Sequence, residues 1–261
     1  MQLTDRVAVI TGGGSGIGAA LARRFAAEGA AEIVVVDHDF AAAEAVAAQV
    51  DGLPEQVDVT DADAVAGLVE RTLARAGRID LFCSNAGIAT GAGLDDPDGI
   101  WQRALEVNLM SHVYAARAVL PGMLERGSGW LLSTASAAGL LTSPGDAPYA
   151  VSKHGVVALC EWLAVTYGGQ GIGVSVLCPM GVATPLLMDP LAAGNFGARA
   201  TAASGEILSP DQVADAVVIG LAQERFLILP HPQVGTFWAQ KASDPDRWLA
   251  GMRRLTEAHK E

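Results

Sequence analysis

Tyr149 and Lys153 stand four residues apart, and far upstream the chain carries Thr11-Gly12-Gly13-Gly14-Ser15-Gly16-Ile17-Gly18. On a helix, positions i and i+4 share a face, so the pair sets an ammonium beside a phenol. A free phenol has a pKa of about 10 and is a poor base at neutral pH. A cation within a few Å typically lowers a neighbouring acid by about 1–3 units, which turns the pair into a proton-transfer device. The glycine run does different work. It lets the backbone approach a pyrophosphate and leaves a helix N-terminus facing negative charge. Each feature alone is a weak signal. Together they point to hydride transfer between a nicotinamide and an alcohol or carbonyl.

The surroundings of the glycines strengthen that reading. An apolar run leads into them and an alanine-rich helical stretch leads out. Gly12, Gly16 and Gly18 give the spacing GxxxGxG, with Gly14, Ser15 and Ile17 completing the loop. Asp37 ends the second apolar run, roughly twenty residues after Gly18, where a carboxylate accepts both adenosine-ribose hydroxyls and repels a 2′-phosphate. Ser15 stands in the loop and His38 directly after Asp37, with no Arg or Lys at either place. NAD(H) is therefore favoured over NADP(H). Asp58-Val59 and Asn85-Ala86-Gly87 end the third and fourth expected strands, on the edge where a dinucleotide lies.

The elements that must position these residues alternate along the chain. Expected strands are Arg6–Ile10, Glu32–Val36, Gln56–Val59, Ile79–Ser84, Gly129–Thr134, Gly173–Leu177 and Phe226–Leu229. Expected helices are Gly16–Glu28, Phe40–Val50, Ala62–Ala76, Ile100–Glu125, Tyr149–Tyr167 and Pro210–Gln223. Strands that read as unbroken apolar runs are buried on both faces of a parallel sheet. The fold class is therefore α/β: a single Rossmann-type, doubly wound domain with a seven-stranded parallel sheet flanked by helices. Residues 185–209 hold no clear strand, and glycines interrupt any helix there, so this segment is expected to be a loop-like substrate lid. Residues 230–261 form a tail with Trp238, Trp248, Leu249, Met252 and Leu255 along an apolar helical face. Those tryptophans serve either core docking or a subunit contact.

Of the 261 residues 51% are hydrophobic and only 5% aromatic, which suits close helix-on-sheet packing around one core. A net charge of −12 disfavours a phosphate-backbone partner, so nucleic acid is not expected. Cys83, Cys160 and Cys178 have no ligand spacing and read as buried thiols of a reducing compartment; no metal site is expected. No basic leader with a long apolar core precedes Val7, and no stretch reaches the roughly 18 apolar residues of a membrane span. The expectation is a cytoplasmic protein without membrane contact.

Taken in order, TGGGSGIG, Asp58-Val59, Asn85-Ala86-Gly87, Asn108, Ser136 and Tyr149-Ala150-Val151-Ser152-Lys153 resemble the short-chain dehydrogenases/reductases, in their shorter single-domain branch. The resemblance covers essentially the whole chain. It implies a catalytic tetrad of Asn108, Ser136, Tyr149 and Lys153, with Lys153 also holding the nicotinamide ribose. It implies that Asn108 marks a helical kink whose freed carbonyl holds a water for a proton relay. After the sixth strand it implies cofactor contacts from Pro179, Val182 and Thr184. Met180 departs from the family pattern, which has glycine there, and is expected to project toward the reaction centre.

A pocket lined by Ala138, Leu140, Leu141, Met180, Leu186, Leu187 and Met188 carries no charge and suits an uncharged, lipophilic secondary alcohol or ketone. Two other readings stay open: an NADPH-dependent ketoreductase of the 3-oxoacyl type, and a non-catalytic dinucleotide-binding sensor. The resemblance further implies a homodimer built on a four-helix bundle from the two long helices, with a homotetramer as the alternative. Pro230 and Pro232 end the last strand abruptly, and the tail is expected to cover that edge.

Overall fold

The computed structural model describes residues 1–258. Seven parallel strands form one sheet in the order β3-β2-β1-β4-β5-β6-β7. They are β1 (Val7–Thr11), β2 (Glu32–Asp37), β3 (Leu53–Gln56), β4 (Leu81–Ser84), β5 (Gly129–Thr134), β6 (Ile172–Leu177) and β7 (Leu227–Ile228). Helices α1 (Gly16–Ala27), α2 (Phe40–Gln49) and α9 (Pro210–Ala222) cover one face; α3 (Ala62–Ala76), α5 (Ser111–Arg126) and α6 (Ala147–Tyr167) cover the other. β1 shows why its sequence lacks alternation. Val9 enters the core beneath α3, α5 and α6, while Ala8 and Ile10 enter the core beneath α1 and α9, and all three are fully buried.

The winding reverses between β1 and β4, whose carboxyl ends, Thr11 and Ser84, lie side by side. In an open parallel sheet that reversal opens a crevice, and ligands bind there. Every residue singled out in the sequence follows a strand that ends at this edge, or lies on a helix packed against it.

Three expectations need correction. β3 ends at Gln56, so Asp58-Val59 lies beyond the ladder. The Asp58 carboxylate takes the Thr60 N–H at 2.9 Å and the Thr60 hydroxyl at 2.7 Å, and this side-chain turn bends the chain out of the sheet. The single long helix expected at Ile100–Glu125 is three pieces: α4 (Asp98–Leu105), one π-helical stretch at Glu106–Met110, and α5. The lid contains two helices, α7 (Pro185–Ala192) and α8 (Phe196–Ala203). Pro185 opens α7 where its missing N–H costs nothing, Asn195 caps the Ala198 N–H at 3.1 Å, and Gly194 falls in the break between them. The tail folds as α10 (Gln233–Ser243) and α11 (Pro245–Ala258); its last residues, 259–261, lie outside the described ones. No described helix is long and apolar enough to cross a membrane.

Candidate active site

β1 passes into its loop through Gly12, whose φ of +62° few other residues adopt. The turn is closed from the other side as well, because a Cβ on Gly18 would run into the Gly12 carbonyl. Gly13 donates to the Val36 carbonyl at 2.9 Å and ties the loop to the end of β2. Gly14 donates its N–H to Asp37 Oδ2 at 3.0 Å, and a Cβ on Gly14 would fall 2.9 Å from that same oxygen. Asp37 is buried; its other oxygen takes the Asp39 N–H at 3.2 Å and lies 2.9 Å from the exposed imidazole of His38. Ser15 takes the cap position of α1 in extended conformation but its side chain makes no capping bond. The first-turn amides of Gly16, Ile17 and Gly18 are thus of the kind a helix leaves to be satisfied from outside. A glycine cradle, an uncapped helix start and a carboxylate at the rim fit the pyrophosphate and ribose of a dinucleotide.

The next loop along the edge has its side chains committed to protein. Asn85 Nδ2 donates to the carbonyls of Thr11 (3.1 Å) and Gly12 (3.3 Å), and its Oδ1 accepts from the Thr134 hydroxyl at 3.0 Å. Asn85 thereby stitches the ends of β1, β4 and β5, and contacts to a ligand from Asn85, Ala86 and Gly87 fall to their backbone. Asp58 is exposed, and its bonds from Thr60 hold the carboxyl below its usual range. Val59 adjoins it.

Asn108 is fully buried within the π-helical stretch. Its Oδ1 accepts from the Ile88 N–H at 2.8 Å; its Nδ2 donates to the Ile88 carbonyl at 2.9 Å and to Ser152 Oγ at 3.1 Å. It therefore locks the loop after β4 against α6. The Ser111 hydroxyl donates to the Val107 carbonyl at 2.6 Å, supporting a backbone group in the widened turn. Lys153, also buried, donates its ammonium to the Thr134 carbonyl at 2.8 Å and lies 5.7 Å from the centre of the Tyr149 ring. A Cβ on Gly87 would sit 3.3 Å from both Lys153 Nζ and Asn108 Oδ1, so a side chain there would press on both. Ser136 caps a 3₁₀ turn at Ala137–Gly139, accepting the Ala138 N–H at 3.1 Å, and its hydroxyl faces the Tyr149 phenol. Ser133 lies inside β5.

The electrostatics differ from expectation in one respect. The Tyr149 phenol is raised above its usual value, chiefly by loss of water around it; the Ser136 hydroxyl acts the other way, and Asp146 and Cys178 add to the rise. Burial of the phenol outweighs the lowering expected of the pair; the Lys153 ammonium is aimed at Thr134 and is itself poorly solvated, its pKa pulled down to about 8 by burial. The three cysteine thiols are buried and pushed up, Cys160 to about 11 and Cys178 to about 12.

A family model described as short chain dehydrogenase matches residues 6–193. This chain is a short-chain dehydrogenase/reductase. The 1-deoxy-11-beta-hydroxypentalenate dehydrogenase of Streptomyces avermitilis is 34% identical over 99% of this chain and 96% of its own. The cis-4-hydroxycyclohexanecarboxylate dehydrogenase of Sinomonas cyclohexanicum is 36% identical over 82% of this chain and 88% of its own. A solved short-chain dehydrogenase/reductase from Burkholderia phymatum, in complex with NAD, superposes with a TM-score of 0.85 at 29% identity, covering 94% of this chain and 96% of that one. The protein is thus an oxidoreductase of the kind that acts on alcohols and ketones, a family that uses nicotinamide dinucleotides.

In this dehydrogenase the chain after β6 runs into the segment expected as a lid, and the tail follows. Pro179 ends at a turn where Val182 pairs with Leu208 as an isolated parallel bridge. Thr184 reaches the cradle: a Cβ on Gly16 would lie 3.1 Å from its methyl. Met180 stands at the start of this turn. Its methyl lies where a Cβ on Gly205 would fall 2.6 Å away, beside Gln233, so the thioether is turned toward the end of the lid and the start of α10. Leu187 is buried with its side chain near Gly181, whereas Leu186 and Met188 are 41% exposed on the lid surface. Ala138, Leu140 and Leu141 are buried, and the Leu140 and Leu141 carbonyls accept from Lys241 of α10 at 2.7 and 2.9 Å.

Three positioning residues escaped the sequence reading. His231 accepts the Met180 N–H at 3.1 Å through Nδ1, and its Nε2 faces the Gly181 and Glu206 carbonyls at 3.1 and 3.2 Å. Lys241 braces the loop after β5, as described. Asp146 caps α6. The short spacing from Asp146 to Tyr149, that of a capping residue and its N3 amide, is a signal that could have found it; His231 and Lys241 act only through distant contacts.

Proposed function

We propose that this protein is an NAD-dependent dehydrogenase of an uncharged, lipophilic secondary alcohol, or the matching ketone reductase. A nicotinamide dinucleotide bound at the cradle supplies the two-electron chemistry, taking up or giving up hydride. The chain's own residues manage the proton and the geometry. Ser136 holds the substrate oxygen and Tyr149 removes its proton in oxidation or returns it in reduction. Lys153 supports the tyrosinate from its seat on Thr134 and holds the ribose, and Asn108 fixes the loop that flanks it. Burial raises the Tyr149 phenol, so positive charge held beside it, from Lys153 and from an oxidised nicotinamide when bound, would favour the tyrosinate.

The observation that carries the reading is the convergence at Gly87: Lys153 Nζ and Asn108 Oδ1 both approach the backbone of the loop after β4 there. The preference for NAD(H) over NADP(H) rests on the buried Asp37 carboxylate against Gly14. Both curated relatives are named for hydroxy carboxylates, one of them on a cyclohexane ring. The test is turnover of NAD and NADP with cyclic secondary alcohols, each with and without a carboxylate. Faster NADP turnover would overturn the cofactor assignment, and exclusive use of the carboxylates would overturn an uncharged substrate.

The assembly follows from the same family reading. The α5–α6 surface, with Val113, Leu120, Leu159 and Tyr167 along a groove and Trp162 56% exposed, is proposed to pair with its copy into a homodimer.

A further inference from the structure

Asp146 is buried, yet its carboxylate receives four hydrogen bonds from two separate parts of the chain. Oδ2 accepts the Thr90 N–H at 2.7 Å and the Gly91 N–H at 2.8 Å; Oδ1 accepts the Thr90 hydroxyl at 2.6 Å and the Tyr149 N–H at 3.1 Å. A second strap runs alongside, from the Ala147 N–H to the Ala92 carbonyl at 2.9 Å. The lid rests on the same knot. A Cβ on Gly145 would fall 2.9 Å from the Phe196 ring, and one on Gly91 would fall 3.2 Å from Asn195 Nδ2. Both glycines have positive φ, +82° and +64°, so the chain on each side of the carboxylate is shaped to accept the lid tip. Three elements therefore meet at this knot: the carboxylate ties the loop after β4 to the start of the helix that carries Tyr149, and the lid packs on the glycines that flank it.

We propose that Asp146 is a positioning residue for the reaction, tying the loop after β4 to the helix that carries Tyr149 and setting the field in which Tyr149 exchanges its proton. The inference rests on Tyr149 being the acid–base group. A helix cap alone needs one acceptor and works equally well with Asn or Ser. This site uses a full charge, with every near lone pair occupied by donors. Such charge-assisted bonds are the strong kind, and they hold the charge at a fixed distance from the phenol. The other titratable groups facing Tyr149 are Lys153 on its own helix and Cys178 at the end of β6; of the charged pair, Asp146 is the one that opposes ionisation.

The test compares Asp146→Asn and Asp146→Ser, which keep a capping acceptor and lose the charge, with Thr90→Val, which keeps the charge and loses one donor. In the full enzyme, the acid limb of kcat/KM for alcohol oxidation is expected to move to lower pH in the two neutral variants. The shift should be at least about 0.3 unit, on the order of one charge acting through a watery medium over about 10 Å. Their kcat should fall at least about tenfold as the knot loosens, an effect of misplacement. Thr90→Val should lower kcat without moving the limb. The chain has three tyrosines, so Tyr114→Phe with Tyr167→Phe leaves Tyr149 as the one titrating phenol. Its ultraviolet titration, which needs no turnover, should show the same downward movement when Asp146 is neutralised. A limb and a titration that both stay in place in whichever neutral variant folds would overturn the proposal. A fully active Tyr149→Phe would instead overturn the assignment of Tyr149, while the titration still reports on Asp146.

Discussion

At the level of single residues, the proposed chemistry depends on one hydroxyl. Tyr149→Phe keeps the ring and its packing but removes the proton carrier, so turnover is expected to fall by about 10²–10⁴-fold with NAD affinity nearly intact. Retention of a tenth of wild-type turnover would refute the mechanism. Lys153 adds a prediction about stability. Its ammonium has a pKa of about 8 in the folded protein against 10.5 in an unfolded chain. Between those values the unfolded chain binds more protons, so stability rises with pH there, and below about 8 the cost of burying the charge is fully present. Measured against Lys153→Met, wild type should therefore gain thermal stability as pH rises from 7 toward 10. Thermal melts at constant ionic strength would check this, and a constant difference would contradict it. Asp37→Ser with His38→Arg should raise the NADP/NAD ratio of kcat/KM, by removing a repulsion and adding a phosphate partner. The tetrad candidates were legible because their types and order are unusual; Asp146 and His231 were not, because a capping aspartate and a buried histidine look ordinary until the chain folds. The direction of the Tyr149 shift escaped the sequence for a related reason. Spacing puts an ammonium near a phenol but says nothing about where its hydrogen bond points.

Elements were legible in proportion to their periodicity. The strands buried on both faces and the helices packed on them lie within a residue or two of expectation, since burial dictates their composition. Failures came where local hydrogen bonds override pattern. Thr60 turning on Asp58 ended β3 at Gln56, so the strand lies three residues earlier than expected, and Asn195 capping α8 produced a helix where glycines had suggested none. The cradle offers a sharp test at this scale. Alanine is the better helix former by about 1 kcal/mol, so Gly18→Ala in an ordinary first turn would be harmless or stabilising. Here the new methyl meets the Gly12 carbonyl, so the variant is expected to melt lower and to bind NAD at least about tenfold more weakly. Calorimetric titration with NAD would decide; unchanged affinity would show that the loop yields without cost.

For the whole molecule, the covered sheet leaves an apolar groove on the outside of α5 and α6. Trp162→Glu is expected to convert a homodimer into a monomer at micromolar concentration, as read by light scattering. A tetramer of the wild type would show that a further interface exists despite the two-residue β7, whose ladder offers little to pair with. The tail was expected to cover that edge; Gly235 of α10 lies close to Leu229, just past β7, and Lys241 reaches the loop after β5. The bridge between Val182 and Leu208 has a different kind of consequence. It fastens together the two ends of the excursion that holds α7 and α8, with the Ala183 N–H on the Leu208 carbonyl at 2.8 Å and the Leu208 N–H on the Gly181 carbonyl at 3.0 Å. Because closing a longer loop between fixed ends costs only logarithmically more, residues between those ends are free to change in length and sequence without disturbing the sheet. The excursion is a cassette. Exchanging it between related dehydrogenases should transfer substrate preference while the recipient keeps its own cofactor.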